Sequence, residues 1–160
     1  DVPGARSERI RRIDGTLEYE NPIKQFKIGQ FYRHDKIWKP LSLDPRQGIR
    51  ASIKNKLVVL FSSRGKGVPY EDHFNEKTGI YYYTAKGHVG DQTLDRTANK
   101  QIVSAKEMGR TIHLFHQHEE NGDYEYRGEV ELVETKTERQ PDIDGKDREV
   151  FVFLLRPIGG

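Results

Sequence analysis

The chain has 160 residues, of which 32% are charged and 34% hydrophobic, and its net charge at pH 7 is +2. This length suits one domain with a core of its own. The absence of cysteine excludes disulfide scaffolds, thiolate zinc sites and cysteine nucleophiles, and is typical of a reducing compartment. Even the longest apolar runs, residues 57–61 and 150–155, are far too short to span a membrane, and no signal peptide precedes the first of them. We therefore expect a cytoplasmic domain that does not enter a membrane.

The charge is unevenly distributed along the chain. Residues 1–66 contain 15 Lys and Arg against 7 Asp and Glu, whereas residues 67–160 contain 12 against 18. A basic half can follow the phosphates of a nucleic acid while an acidic half faces away from them. Halves of a sequence need not be faces of a fold, so the asymmetry alone identifies no partner.

The first 20 residues are predicted to form a basic N-terminal arm or linker, separate from a domain over residues 21–160. Ile10 and Ile13 have helical spacing and Gly15 can end a helix, so one helical turn is expected in the arm. Its arginines fit a DNA-contacting arm as well as a linker from a preceding domain.

Short strands and turns dominate the rest of the chain. The strands are predicted, from apolar runs and period-two alternation, at residues 26–32, 51–53, 57–61, 79–84, 111–118, 124–132 and 149–155. Gly, Pro and Asn chemistry predicts turns at 44–48, 54–56, 62–67 and 121–122. Residues 35–43 are typical of a loop or short helix, 99–109 of a helix, and 135–146 of a polar excursion. This pattern predicts an α+β, β-rich domain with one or two flanking helices, in which the strands form a curved β-barrel or a strongly curved sheet.

The stretch from residue 68 to residue 94 holds four of the eight tyrosines. Tyr70 is followed by Glu71, Asp72 and His73, and a later strand carries three consecutive tyrosines before Thr84. Two aromatic walls with polar groups between them can stack on a flat ligand and read its edge by hydrogen bonds. The alternative is that these tyrosines are ordinary strand aromatics of the core, because aromatic residues favour strands.

Three histidines in one predicted strand invite a metal-site interpretation. His116 and His118 would share one face of the strand, whereas His113 would point to the other. Three imidazoles cannot converge on one ion from that arrangement, so we predict neither a metal site nor a bound cofactor.

Glu134 and Lys136 form a Glu-x-Lys pattern similar to that of metal-dependent nucleases. Asp123 is the nearest upstream acid that could supply a second metal ligand. Patterns of this length are common by chance, so we assign no catalytic residue to the chain. A nuclease domain remains one alternative function.

A longer series of residues resembles a known family. The series comprises Phe26, Gly29, Tyr32, Arg46-Gln47-Gly48-Ile49, the strand at 57–61, Tyr70-Glu71-Asp72, Tyr83-Thr84, Gly87, Asp91-Gln92-Thr93-Leu94 and Asn99. It resembles the SRA (SET- and RING-associated) domain, and is more similar still to the SRA-like domains of bacterial modification-dependent HNH restriction endonucleases. The resemblance covers about residues 26–156 and implies a PUA-like barrel that flips a modified base out of duplex DNA.

The resemblance also implies which residues hold the flipped base. Tyr70 and Tyr83 would stack on its two faces, Asp72 and His73 would read its edge, and Thr84 would complete the polar contacts. The implied base-binding pocket is Tyr70, Glu71, Asp72, His73, Tyr83 and Thr84. The implied base is 5-methylcytosine or 5-hydroxymethylcytosine, although His73 stands where readers of hemimethylated DNA have an acid.

Two loops are implied to touch DNA. Arg46, Gln47 and Gly48 belong to a turn that would fill the space left by the flipped base, or else would simply connect two strands. The second loop contributes Lys86, Gly87, His88 and Gln92. It is much shorter than the finger of eukaryotic SRA domains, so strand discrimination of their type is not expected.

The sequence as a whole thus predicts a non-catalytic specificity domain for double-stranded DNA with a modified base. Its parent protein would be a modification-dependent endonuclease whose nuclease lies outside these residues, and any dimer would form through that parent. The alternatives are a metal-dependent nuclease in its own right and a PUA-like RNA-binding module.

Overall fold

The computed structural model describes residues 9–11, 17–19, 21–44, 49–52, 54–63, 72–85, 97–141 and 144–158. Its strands are β1 (Arg9–Arg11), β2 (Leu17–Tyr19), β3 (Phe31–Tyr32), β4 (Ile49–Ser52), β5 (Leu57–Ser63), β6 (His73–Asn75), β7 (Ile80–Thr84), β8 (Thr111–Gln117), β9 (Tyr124–Pro141) and β10 (Asp147–Pro157). Its helices are a 3-10 helix at Pro22–Gln25, α1 (Asp35–Leu41) and α2 (Thr97–Val103). None of the helices in these ranges is long and apolar enough to cross a membrane.

Eight strands form one sheet in the order β4-β5-β8-β9-β10-β7-β6, with β3 beside the start of β9. Every neighbouring pair is antiparallel except β5 and β8, which are parallel. The long strand β9 pairs with β8 over its first part and with β10 over the remainder. It therefore connects the β8 side of the sheet to the β10 side. The β-rich class with two α-helices is therefore confirmed.

The sheet curves until strands that are not ladder neighbours approach each other. The Tyr83 hydroxyl on β7 donates to the backbone oxygen of Phe61 on β5 at 3.2 Å, although three strands separate β7 from β5 in the sheet order. The register shifts against β8 and against β10 leave Arg127 and Val133 of β9 without a register partner, which marks two β-bulges in β9. Bulges bend the strand that contains them and increase its twist. The sheet thereby encloses an inner core like a barrel.

Strand β5 is buried on both faces, as its continuous apolar run predicts. Val58 and Leu60 face the inner core, which also receives side chains from β4, β7, β8, β9, β10 and α2. Leu57, Val59 and Phe61 face a second cluster against α1 and the 3-10 helix. Burial on both sides makes β5 a rigid base for the residues at its two ends.

Three local predictions are wrong. The arm forms an antiparallel β1–β2 ladder where one helical turn was expected, because strand pairing outweighs the weak helical spacing of two isoleucines. Residues 135–141 belong to β9 and are not a polar excursion, because their backbone pairs with apolar β10 while their charged side chains face solvent. The helix expected at 99–109 is only α2, followed by turns up to Gly109.

The strand expected at 26–32 is confined to β3. The preceding segment forms the 3-10 helix and a turn, where Gly29 has a positive φ of 87°. Pro22 at the start of the 3-10 helix has no backbone donor to lose, which favours a helical turn there.

Candidate functional site

Asp72 lies where the chain enters β6, and its carboxylate joins two other strands. Oδ1 accepts a hydrogen bond from the backbone N–H of Thr84 on β7 at 2.8 Å. Oδ2 accepts one from the hydroxyl of Ser62 on β5 at 3.0 Å. Because both donors belong to well-paired strands, the orientation of the carboxylate is fixed at this end of the barrel.

A chain of buried hydrogen bonds continues from Ser62 to β8. The Ser62 hydroxyl has one proton, which it donates to Asp72, so the Tyr81 hydroxyl donates to Ser62 Oγ. The Tyr81 oxygen then accepts from Nδ1–H of His116 at 3.2 Å, which assigns the tautomer of this histidine. We call Asp72, Ser62, Tyr81 and His116 the polar relay. Its bonds all point toward Asp72, and bonds aligned in this way polarise one another.

Tyr83 lies beside the polar relay on the inner side of β7. Its side chain is 0% exposed and belongs to the inner core, with its hydroxyl bonded to Phe61. No face of the ring is open in this structure, so a base can stack on Tyr83 only if neighbouring atoms move. The burial of Tyr83 is equally consistent with the alternative that Tyr83 is an ordinary aromatic residue of the core.

Thr84 has a second polar partner that the sequence did not suggest. The Thr84 side chain is fully buried, and its Oγ1 accepts from Nε2 of Gln140 at 3.5 Å. Gln140 is 2% exposed, and its Oε1 has no hydrogen-bond partner among the described residues. Gln140 was missed because it falls in the polar stretch that the sequence analysis placed outside the strands.

The structure separates His73 from Asp72. The His73 ring stacks on Tyr82 with centroids 4.5 Å apart and planes within 7°, and its side chain is exposed. Asp72 contacts the inner side of the barrel, as alternation along a strand requires of adjacent residues. The remaining residues of the predicted site lie outside the described residues: Tyr70, Glu71, Arg46, Gln47, Gly48, Lys86, Gly87, His88 and Gln92.

The three strand histidines divide between two faces, as predicted. The rings of His116 and His118 lie 4.6 Å apart edge to face, and His118 Nε2 is 2.7 Å from Glu125. On the other face, His113 Nδ1 lies 2.8 Å from the Tyr126 hydroxyl and its Nε2 lies 2.8 Å from Thr111 Oγ1. Burial lowers the pKa of His113 to about 4 and raises the pKa of Tyr126 to about 12, so both are neutral at pH 7.

The geometry disfavours the Glu-x-Lys nuclease alternative. Asp123 precedes β9 directly, and Glu134 lies well along the same strand, paired with Leu154 of β10. A strand advances roughly 3.3 Å per residue, so the two carboxylates are too far apart to share one metal ion.

The sequence model described as "ScoMcrA-like, SRA domain" matches residues 29–160. The chain belongs to this family. The SRA domain shares 21% identity and a TM-score of 0.67 with a structure of the sulfur-binding and SRA domains of ScoMcrA complexed with phosphorothioated DNA. That match covers 84% of this chain and 40% of the other, and only 28% of the restriction endonuclease ScoMcrA in a second structure.

Two further structures have the same fold. The modification-dependent restriction endonuclease TagI matches with a TM-score of 0.63 and 19% identity, over 96% of this chain and 53% of TagI. The SUVH5 SRA complex with hemimethylated CG DNA matches with a TM-score of 0.60 and 22% identity, over 84% and 90% of the two chains. Among curated proteins, none matches this sequence. At these identities the structural matches establish the SRA-like fold of the domain and no finer property.

Proposed function

We propose that this SRA domain binds double-stranded DNA that carries a modified base. The observation that carries the proposal is the fixed carboxylate of Asp72, held by Thr84 and Ser62 at the end of the barrel beside Tyr83. Membership in the SRA family supports it, as do relatives whose structures contain phosphorothioated or hemimethylated DNA.

The proposed base is a modified cytosine, 5-methylcytosine or 5-hydroxymethylcytosine. An ionised carboxylate accepts hydrogen bonds at both oxygens, with about four lone-pair sites in all. Carboxylates accept hydrogen bonds from the exocyclic amino group of cytosine. The relay keeps Asp72 oriented and favours its ionised form, so Asp72 is the proposed edge reader, with His73 outside the pocket.

A base can reach a buried site only if it leaves the duplex stack, which base flipping achieves. Extruding a base costs a few kcal/mol, and each aromatic stacking partner returns about 1–3 kcal/mol. The proposed partners are Tyr70 and Tyr83. Since Tyr83 is covered, binding would include a local movement that uncovers its ring.

The wider proposal concerns the parent protein. The chain spans less than half of the ScoMcrA chains that it matches, which fits a specificity domain within a longer restriction endonuclease. We propose that the nuclease lies outside these residues, that any dimer forms through the parent, and that the DNA substrate implies a cytoplasmic location.

A binding panel of otherwise identical duplexes tests the proposal. The panel contains unmodified, 5-methylcytosine, 5-hydroxymethylcytosine, N6-methyladenine and phosphorothioate duplexes. We expect at least tenfold tighter binding, about 1.4 kcal/mol, to one modified-cytosine duplex. Asp72→Asn should remove this preference because an amide presents a donor where the base also donates, whereas the control Asp123→Asn, in the exposed hairpin turn, should keep it.

Three further measurements complete the test. A 2-aminopurine beside the target should brighten on binding if the base leaves the stack. Incubation with Mg²⁺ or Mn²⁺ should leave the duplex intact, and matched RNA should not compete. Equal binding to every duplex would overturn the proposal, cleavage would favour the nuclease alternative, and RNA competition would favour the RNA-binding module.

A further inference from the structure

Gln140 on β9 has a buried acceptor that the fold leaves unused. Its side chain is 2% exposed. Nε2 donates to Thr84 Oγ1 at 3.5 Å and to a carboxylate oxygen of Glu138 at 3.3 Å, so both of its N–H groups have acceptors. Oε1 has no hydrogen-bond partner in the part of the chain that the structure describes, and Arg148, the register partner of Gln140, does not donate to it.

The orientation of this amide follows from its neighbours. An ionised carboxylate accepts hydrogen bonds and cannot donate them, so the amide nitrogen must face Glu138 and the amide oxygen must face away. A buried acceptor without a donor costs free energy that an apolar side chain of the same size would avoid. The unused oxygen of Gln140 is therefore accounted for by a ligand that brings a donor.

Gln140 lies at the same end of the barrel as the proposed edge reader. Thr84 connects them, because its backbone N–H donates to Asp72 Oδ1 at 2.8 Å while its hydroxyl oxygen accepts from Gln140. In cytosine the amino group on C4 is next to the substituent on C5. A base whose amino group donates to Asp72 therefore brings its C5 substituent among the groups that surround Asp72.

We propose that Gln140 is a specificity-determining residue, whose Oε1 accepts a hydrogen bond from the hydroxyl of 5-hydroxymethylcytosine. The proposal rests on the proposed function, since it concerns the C5 substituent of the base that Asp72 would hold. A hydroxymethyl group brings the O–H donor that Oε1 lacks, whereas a methyl group brings none and leaves the oxygen unpaired. The domain then discriminates between two modified cytosines, and not only between modified and unmodified DNA.

Four duplexes that differ only at the target base test the wild type. They contain cytosine, 5-methylcytosine, 5-hydroxymethylcytosine and 5-ethylcytosine, which has the size of the hydroxymethyl base without its hydroxyl. The 5-hydroxymethylcytosine duplex should bind about tenfold or more tighter than the 5-methyl and 5-ethyl duplexes. Equal binding of the hydroxymethyl and ethyl duplexes, both tighter than cytosine, overturns the role of Gln140 and leaves the proposed function standing. Equal binding of all four duplexes overturns both.

Gln140→Met tests the residue itself. Methionine has nearly the same length and volume but no amide, so the variant should fold with a Tm close to that of the wild type. Its affinity for the 5-hydroxymethylcytosine duplex should fall about tenfold, to the affinity for 5-methylcytosine, while 5-methylcytosine stays preferred over cytosine. Gln25→Met, at an exposed position of the 3-10 helix, is the control and should change nothing.

Two outcomes of this variant would contradict the proposal. A retained preference for 5-hydroxymethylcytosine places the hydroxyl contact elsewhere, and the loss of every preference reduces Gln140 to a support for Thr84. A measurement on the wild type does not depend on the folding of any variant. The side-chain amide NMR signal of Gln140 should shift more on binding the 5-hydroxymethylcytosine duplex than on binding the 5-ethylcytosine duplex, and equal shifts would overturn the proposal.

Discussion

The two ends of strand β5 differ in charge, burial and strain. At one end Ser62 belongs to the polar relay, whose members on β5, β7 and β8 are buried and satisfy one another's hydrogen bonds. At the other end the strand begins after Lys56, an exposed cation in a left-handed conformation beside two more lysines. Strand β5 is rigid because both its faces are packed. It thus joins a buried end, which holds the Asp72 carboxylate, to a cationic surface end.

The difference suggests a division of tasks between discrimination and affinity. Buried, directional hydrogen bonds distinguish one ligand edge from another, because a mismatched group leaves a buried polar atom unpaired. Exposed cations attract phosphates of any sequence and lose this attraction as salt rises. We therefore expect substitutions near Asp72 to change preference among duplexes, and substitutions of the exposed lysines just before β5 to change overall binding.

We expect the largest effect on stability from removing the aromatic ring at the buried end of β5. Tyr83→Ala should lower the free energy of unfolding by about 3–5 kcal/mol, since it deletes a fully buried ring from the inner core. Tyr83→Phe keeps the ring but removes the hydroxyl that donates to Phe61, and should cost about 1 kcal/mol. Urea unfolding measures both values.

The pair also tests the stacking role of Tyr83. The phenylalanine variant keeps a ring face and should keep the preference for modified DNA. If Tyr83→Phe folds with wild-type stability but loses that preference, the hydroxyl and not the ring face makes the decisive contact.

Acidification should add a charge near the cationic end. His113 contacts Thr111 at the start of β8, and burial lowers the pKa of His113 from 6.5 to about 4. Above pH 6.5 His113 is neutral in both states and its stability contribution is complete. As the pH falls from 6.5 to 4 the unfolded chain binds the proton first, so about 3 kcal/mol is lost across this window.

Unfolding free energies measured from pH 7.5 to pH 4 check this prediction in comparison with His113→Gln. The glutamine variant cannot be protonated, so it should be less stable at neutral pH but show a shallower decline. An equally steep decline in both proteins would assign the acid sensitivity to other groups.

We expect the smallest of these effects from a substitution that interrupts the polar relay. Ser62→Ala leaves Asp72 and Tyr81 each without one partner and should cost about 1–3 kcal/mol in stability. It should also reduce the preference for modified over unmodified duplex, because Asp72 then loses one of the hydrogen bonds that orient its carboxylate. Ser104→Ala, which removes a hydroxyl bonded to the backbone of α2, is the matched control and should leave the preference unchanged. If Ser62→Ala keeps the preference for modified duplex, the relay contributes to packing and not to recognition.

The sequence predicted the architecture better than it predicted the site. The run at 57–61 gave a strand buried on both faces because continuous apolar residues have few other solutions in a β-rich chain. The alternation of His113, His116 and His118 between faces followed from strand geometry alone. By contrast, residues 135–141 looked like a loop, since side-chain polarity does not reveal that a backbone is paired with an apolar neighbour.

The polar relay could not be predicted, for a physical reason. Ser62 and His116 are register partners on the neighbouring strands β5 and β8, but only the curvature of the sheet brings Tyr81 of β7 to them. Single serine and histidine residues at strand ends have no distinctive local pattern. The segment around Asp72 was identified by its resemblance to a family, yet the sequence placed His73 with Asp72 and could not tell which of the two faces inward.

The parallel pairing of β5 with β8 has a consequence for how the domain folds and diversifies. Parallel neighbours need a long crossover, and here residues 64–110 form it, including Asp72, Tyr83, Thr84 and α2. The crossover must close as one large loop before Ser62 and His116 can meet, so the recognition end is expected to form late in folding. The pairing of β5 with β8 does not depend on the length of the loops in this crossover, so we expect insertions between β6, β7 and α2, but not within them, to change the ligand without disturbing the barrel.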